Sequence, residues 1–203
     1  MPQSDLLPKL DDRPLRLFGI DPGSLKVGYA CVEIQPSKAA SINLRDIKIV
    51  EVGALRAPSS QGYAVRISLL HNAIFDCVAR LGPSECVIER AFSGINPLSG
   101  IRLGEARGSI ISAVARNGAL VKEITAGSVK KIIGGKGNAT KEQIAQCLYI
   151  LLGFSRGNLP YDATDALAIA IAYVLSNRRP LGGSRSEVSI RSDYMPGRRN
   201  INP

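Results

Sequence analysis

Four acidic residues lie at the ends of separate predicted elements in a chain that is otherwise basic. Asp21 and Glu89 each follow a short apolar segment, and Asp162 and Asp165 begin an alanine-rich helical segment. Carboxylate oxygens are the ligands that Mg²⁺ and Mn²⁺ prefer, and the chain has a single histidine with which to bind zinc. Two such ions bound close together promote phosphodiester hydrolysis, so the four acids predict a metal site that acts on phosphates.

Each acid taken alone also fits a purely structural role. Asp-Pro-Gly is common turn chemistry, so Asp21 could simply form a turn. Glu89 could pair with Arg90, although adjacent residues of a strand point to opposite faces of the sheet. Asp162 could be a helix cap, but Asp162 and Asp165 share one helix face and repel each other without a cation. The set of four therefore favours a metal site.

Two sets of glycines predict close contacts. The first set surrounds Asp21 and leaves space for a phosphate backbone beside the acid: Gly19, Gly23 and Gly28. The second set recurs at every fourth residue of a predicted helix: Gly100, Gly104 and Gly108. A glycine inside a helix costs about 1 kcal/mol relative to alanine. Tight packing of that helix, on the sheet or on a second subunit, is the expected compensation.

A glycine-rich basic loop at 134–138 precedes a predicted helix. The loop lacks the Gly-Lys-Ser/Thr ending of an ATP-binding P-loop. Lys136 lies within it, and Lys130 and Lys141 flank it, which suits contacts with DNA phosphates as well as a plain solvated loop. Phe92, in the loop after the second acid, either stacks on an unpaired base or caps the core.

Charge and length point to one domain with a polyanionic partner. The chain has 203 residues, 45% of them apolar, and a net charge of +9. Residues 1–14 form a polar lead-in, and 178–203 form a tail with six arginines against two acids, which predicts disorder. The remaining segment, 15–177, is also basic and is long enough for one domain with a full core. Basicity in the folded part favours nucleic acid as the partner.

The four cysteines are widely spaced and include no Cys-x-x-Cys pair, which predicts buried thiols in a reducing compartment. The first residues lack the basic and apolar regions of a signal peptide, and no run of 18 apolar residues occurs. These features predict a cytoplasmic protein without a membrane association.

Hydrophobic periodicity predicts a single α/β domain with a mixed sheet flanked by helices. Alternating or continuous apolar segments predict five strands at 15–20, 26–34, 47–52, 85–88 and 120–124. Helical spacing predicts five helices at 62–81, 97–118, 128–133, 140–152 and 162–176. Thr140, with Gln143 three residues later, predicts a capping box at the start of the fourth helix.

Taken together, the motifs resemble those of the RuvC crossover junction endodeoxyribonucleases of bacteria. The matching segments occur in the family's order and cover most of 15–176: FGIDPGS at 18–24, VIERAF at 87–92, RLGEARG at 102–108, VKK at 129–131 with Lys141, and DATDALA at 162–168. The lead-in, the tail and a long interval between the first two acids are departures from the family pattern.

The resemblance implies a ribonuclease H-like fold, a homodimer and Mg²⁺-dependent resolution of four-way DNA junctions. Two ions per site are implied, with Mn²⁺ as a substitute. Symmetric paired nicks and cooperation with the RuvA and RuvB branch-migration proteins are also implied. The resemblance assigns catalytic and metal-binding roles to Asp21, Glu89, Asp162 and Asp165. It assigns DNA contacts near the scissile phosphate to Lys130 and Lys141, and a contact with the opened junction to Phe92.

Three other functions remain as alternatives. An actin-like or sugar-kinase-like ATPase also has a first strand ending in Asp-x-Gly, but such proteins need two lobes and 203 residues are too few. A non-catalytic DNA-binding or scaffolding protein on the same fold would tolerate neutralisation of the acids. An RNA–DNA hybrid nuclease on the same fold would cleave hybrids faster than junctions.

Overall fold

A computed structural model of the chain describes residues 14–34, 46–90, 97–153, 159 and 161–176. Within these ranges the strands are β1 (Leu15–Asp21), β2 (Lys26–Ile34), β3 (Ile47–Arg56), β4 (Glu85–Glu89) and β5 (Leu120–Ile124). The helices are α1 (Tyr63–Leu81), α2 (Pro97–Arg116), α3 (Ala126–Gly134), α4 (Lys141–Leu152) and α5 (Tyr161–Ser176). Phe92, almost all of the lead-in and the whole predicted tail lie outside the described residues.

The five strands form one mixed sheet in the order β3-β2-β1-β4-β5. The first three strands are antiparallel neighbours, as expected for strands joined by short connections, whereas β4 is parallel to both β1 and β5. Parallel pairing requires crossover connections, which α1 and α2 provide. The prediction of a five-stranded mixed sheet flanked by helices is therefore confirmed.

Strand alternation divides the apolar residues between two cores, one on each face of the sheet. On β1, Leu17 belongs to the core shared with α3, α4 and α5, whereas Phe18 and Ile20 belong to the core shared with α1 and α2. α5 is enclosed on nearly all sides, as its run of buried alanine, isoleucine and leucine residues indicates. The face of the sheet that α5 covers is therefore close-packed. Gly19 and Asp21 lie on this face, as Leu17 does.

Two glycines allow α5 to lie directly on the sheet. A Cβ at Gly19 would lie 2.8 Å from the Ala170 Cβ, and a Cβ at Gly28 would overlap the backbone carbonyl of Asp162. Neither glycine is therefore open to a phosphate backbone, so that prediction is wrong for this pair. Helix–strand contact is the reason for their small size, because only a hydrogen atom fits between the two backbones.

The start of α4 follows the predicted capping chemistry. The Thr140 side chain accepts a hydrogen bond from the Gln143 backbone, and the Gln143 side chain returns one to Thr140, which completes the capping box. Thr125 caps α3 in the same manner by accepting from Ser128. The third strand is four residues longer than predicted and ends at Arg56, because β3 pairs with β2 over its whole length.

None of the helices in the described part of the chain combines the length and hydropathy of a transmembrane span.

We predict that Gly28→Ala destabilises the protein by about 3 kcal/mol or more, because the new methyl group cannot fit beneath the Asp162 carbonyl without displacing α5. Urea unfolding followed by circular dichroism measures the change. Gly127→Ala in α3 is the matched control, since a Cβ there meets nothing closer than 4.0 Å and alanine favours the helix. Equal stabilities for the two variants would contradict the proposed contact.

Candidate active site

Two of the four predicted acids end neighbouring parallel strands. Ile20 of β1 pairs with Ile88 of β4, and the next residues, Asp21 and Glu89, are the last of their strands. Parallel neighbours lie about 4.8 Å apart, so both carboxylates leave the sheet at the same edge. Alternation places both on the α5 face, because Val87, two residues before Glu89, lies in the α5 core.

The start of α5 brings the other two acids to this edge. Gly28, which touches the Asp162 backbone, pairs with Asp21 across β1 and β2. Asp162 therefore lies over the end of β1, close to Asp21. Asp165 follows about one helical turn later on the same side of α5. Their positions depend on the seating of α5 on the sheet.

Three of the acids line one cavity. Asp21, Glu89 and Asp165 border a space of about 230 Å³, together with Lys130 and Lys141. Asp162 is not among the lining residues, and its carboxylate pairs with Lys26 at 2.6 Å. The cavity thus places predicted acids and predicted DNA-binding lysines around one volume.

Two predicted DNA-binding residues lie elsewhere. Lys136 is exposed in the loop after α3 and does not line the cavity. Phe92 lies outside the described residues. The structure therefore groups Lys130 and Lys141 with the acids and leaves the predicted contacts of the other two residues as predictions.

The two strand-end acids are partly buried, and their ionised forms are disfavoured. Burial, followed by the charges of Asp165 and Glu89, raises the pKa of Asp21 from 3.8 to about 7. Burial and then Asp165 also raise the pKa of Glu89, against the opposing charges of Lys141 and Lys130. Among the described residues no lysine or arginine lies within ion-pair distance of either acid.

The basic side chains near the site pair with acids that are distant from them in sequence. Arg90 pairs with Glu123 at 3.3 Å, so it does not neutralise Glu89 as the structural alternative supposed. Lys141 pairs with Asp165, and this hydrogen bond raises the pKa of the Lys141 ammonium. The structural explanation for Glu89 is thereby removed.

The donor set fits a divalent cation of the Mg²⁺ type. All four acids offer hard oxygen ligands, and the raised pKa of Asp21, caused first by burial and then by the neighbouring acids, shows that its ionised form lacks a cation. Within the described ranges, no three carboxylate, histidine or cysteine side chains are already gathered as a metal cage. Lys26 and Lys141 instead hold one carboxylate each, in the position of counter-cations.

Comparison with known proteins identifies the family of the chain. The sequence profile described as Crossover junction endodeoxyribonuclease RuvC matches residues 17–173. The chain belongs to the RuvC family. The RuvC protein of Neisseria meningitidis (serogroup C) is 34% identical over 80% of this chain and 86% of its own. That of Maricaulis maris is 35% identical over 84% and 96%, respectively.

Solved structures give the fold of RuvC proteins. Thermus thermophilus RuvC in complex with a Holliday junction substrate superposes with a TM-score of 0.70 at 23% identity, covering 81% of this chain and 95% of that one. The yeast mitochondrial Holliday junction resolvase Ydc2 gives a TM-score of 0.56 at 15% identity, covering 80% and 79%. At these identities the likeness shows the fold alone, which confirms the ribonuclease H-like architecture.

One residue inside a RuvC motif has a contact that sequence reasoning did not assign. The Arg107 Nε donates to the backbone carbonyl of Glu89 at 3.1 Å, and its guanidinium also pairs with Glu123. Arg107 is 15% exposed, so α2 holds the end of β4 through a largely enclosed arginine. The position of Arg107 in the RLGEARG segment could have marked it as a functional residue. Helical spacing alone does not reveal that it contacts Glu89.

We predict that Asp21→Asn stabilises the metal-free protein at pH 8 by roughly 1–2 kcal/mol, allowing for partial solvent screening. The folded-state pKa of about 7 exceeds the ordinary 3.8, so the folded protein retains the Asp21 proton more tightly than the unfolded chain. Wild-type stability therefore falls as the pH rises from about 4 to 7, and the asparagine does not suffer this loss.

Urea unfolding in chelator at pH 5 and pH 8 measures the effect, which should shrink toward pH 5. Asp76→Asn on the exposed side of α1 is the control and should show no comparable gain. A variant that is no more stable than wild type at pH 8 would show that the charge of Asp21 is already compensated.

Proposed function

We propose that this RuvC-family protein is a metal-dependent, structure-selective endonuclease that resolves Holliday junctions by paired symmetric nicks. The observation that carries the proposal is the convergence of Asp21 and Glu89 at one sheet edge beneath the first turns of α5. Family membership supports the nuclease activity. The junction substrate is supported by the complex determined for Thermus thermophilus RuvC.

Asp21, Glu89, Asp162 and Asp165 are the residues that would hold two Mg²⁺ ions, or Mn²⁺ in their place. Bound ions would supply a lowered pKa for the attacking water and charge stabilisation for the leaving 3′ oxygen. The protein's own contribution is to hold the carboxylates on two strand ends and one helix, where backbone packing limits their movement. Rigid placement of this kind is what an in-line displacement requires.

Lysines around the cavity are suited to the DNA phosphates next to the cleaved bond. Lys130 borders the cavity without an ion pair among the described residues, so its ammonium is available to a phosphate oxygen. Lys141 is 66% exposed and pairs with Asp165. An incoming phosphate would attract the ammonium away from Asp165, and an incoming cation would displace it. We propose Lys136 as a more distant phosphate contact and Phe92 as a base contact.

A homodimer follows from the proposed substrate, because a four-way junction has two equivalent cleavage sites related by a twofold axis. α2 has a suitable surface. Apart from the adjacent residues and the local helix backbone, no described atom lies within 4 Å of the position that a Cβ would occupy at Gly100, Gly104 or Gly108, so the sheet does not cover these glycines. Ile101, on the same side of the helix, is 60% exposed. We propose that a second copy packs on this surface.

We further propose that the protein acts in the bacterial cytoplasm with RuvA and RuvB, the branch-migration proteins associated with the family. Its proposed role is the cleavage step of recombination and repair.

The decisive experiment compares a synthetic four-way DNA junction, a linear duplex and an RNA–DNA hybrid of the same sequence, each with Mg²⁺. We expect paired nicks in the junction alone. Asp21→Asn should bind the junction but cut it at least about a hundredfold more slowly, because a direct ligand matters more than an outer-shell residue. Asp76→Asn should cut normally.

Other outcomes point to defined alternatives. Normal cutting by Asp21→Asn would refute the assignment of the acids. Binding without cutting under every divalent ion would favour a scaffolding protein, and faster hybrid cleavage would favour a hybrid nuclease.

We predict that Ile101→Glu weakens dimerisation at least about tenfold, because a carboxylate would be buried without a partner in the proposed interface. Sedimentation velocity across micromolar concentrations measures the change. Ile150→Glu is the matched control, since Ile150 is 73% exposed on α4, away from α2. Wild-type protein that is monomeric at these concentrations yet makes paired nicks would contradict the proposed dimer.

A further inference from the structure

Lys26 is a further charged residue at the acid cluster, besides Lys130 and Lys141, and belongs to none of the family motifs quoted above. It begins β2, five residues after Asp21, and its Nζ lies 2.6 Å from the Asp162 Oδ2. The Lys26 side chain is 44% exposed and that of Asp162 is 13% exposed. The ammonium therefore reaches a largely enclosed carboxylate from the solvent side.

The pairing is a consequence of backbone packing. Every second residue of β2 lies on the face that α5 covers, which places Lys26, Gly28 and Ala30 on that face. Ala30 lies in the α5 core, and Gly28 contacts the Asp162 carbonyl. Val27, on the opposite face, is fully buried and fixes the strand. Lys26 must therefore project beside the first turn of α5, next to Asp162.

Helix stability does not account for a lysine at this place. The N-terminus of a helix carries partial positive charge, which favours Asp162 but disfavours a neighbouring ammonium. A partly exposed ion pair is itself worth about 1 kcal/mol or less. The effect of Lys26 is therefore expected mainly on what the Asp162 carboxylate can bind.

We propose that Lys26 determines the cation requirement of the metal site by occupying the Asp162 carboxylate in the metal-free protein. A divalent cation then has to share or displace this ammonium in order to use Asp162, which raises the cation concentration that the site needs. The inference rests on the proposed metal site. It accords with the arrangement of the four acids, of which three line the cavity and the fourth is paired with Lys26.

Calorimetric titration of Mn²⁺ into the metal-free protein tests the proposal without reference to activity. Lys26→Met, which keeps the length of the side chain and removes its charge, should lower the Mn²⁺ dissociation constant about three- to tenfold. Lys26→Arg should bind Mn²⁺ no more tightly than wild type. Lys48→Met, at an exposed position of β3, is the control and should leave the constant unchanged.

A double-mutant cycle separates the ion pair from the general effect of removing a positive charge. In an Asp162→Asn background, Lys26→Met should change Mn²⁺ affinity by less than about twofold, because the partner carboxylate is gone. Should Lys26→Met not fold by circular dichroism, Lys26→Gln carries the same expectation.

Unchanged or weaker Mn²⁺ binding by the Lys26 variant would overturn the proposal, as would the same gain in affinity in the Asp162→Asn background. Failure of wild type to bind any divalent cation would instead overturn the proposed metal site. The two failures are therefore distinguishable.

Discussion

The contact between α5 and the antiparallel pair β1–β2 is the constraint on which the rest of the site depends. It is possible because Gly19 and Gly28 leave no side chain between the helix and the sheet. The alanines of α5 complement them, since Ala166 and Ala170 are fully buried against β1. A larger residue at any of these positions would lift the helix and carry its two acids away from the strand ends.

The same close packing concentrates negative charge where burial makes it costly. A pKa shift of one unit corresponds to about 1.4 kcal/mol, and a domain of this kind is stable by only about 5–15 kcal/mol. The shift of Asp21 to about 7 is therefore appreciable even after solvent screening. Two apolar cores, one on each face of the sheet, compensate for this local repulsion, while Lys26 and Lys141 neutralise the acids of the helix.

Much of this arrangement was predictable from the sequence, for physical reasons. Alternating and helical spacings of apolar residues predict the strands and helices, because burial of one face sets the period in each case. Thr140 marks a helix start through its own capping hydrogen bonds. Apolar strands ending in Asp21 and Glu89 indicate a shared edge once the strands are taken as parallel neighbours. The roles of these acids remain predictions, although their positions are as the sequence suggests.

Contacts between elements were less accessible to sequence reasoning. The glycines around Asp21 predict close approach, but the sequence does not say that the approaching group is α5 rather than a phosphate backbone. Likewise, Arg90 lies next to Glu89 in sequence and pairs with Glu123 on β5. Lys26 was open to inference, since alternation from Gly28 places it on the α5 face, but its partner becomes evident only when the helix is in place.

A second protomer is a requirement of the proposed substrate rather than of the acid cluster. All four acids come from one chain, and α2 lies on the face of the sheet opposite α5. A partner packed on α2 would therefore leave the cavity open to DNA. It would still be linked to the site, because Arg107 connects α2 to the carbonyl of Glu89. In such a dimer, α2 would set the distance between the two cleavage sites. The same helix would support the end of β4 in each site through Arg107.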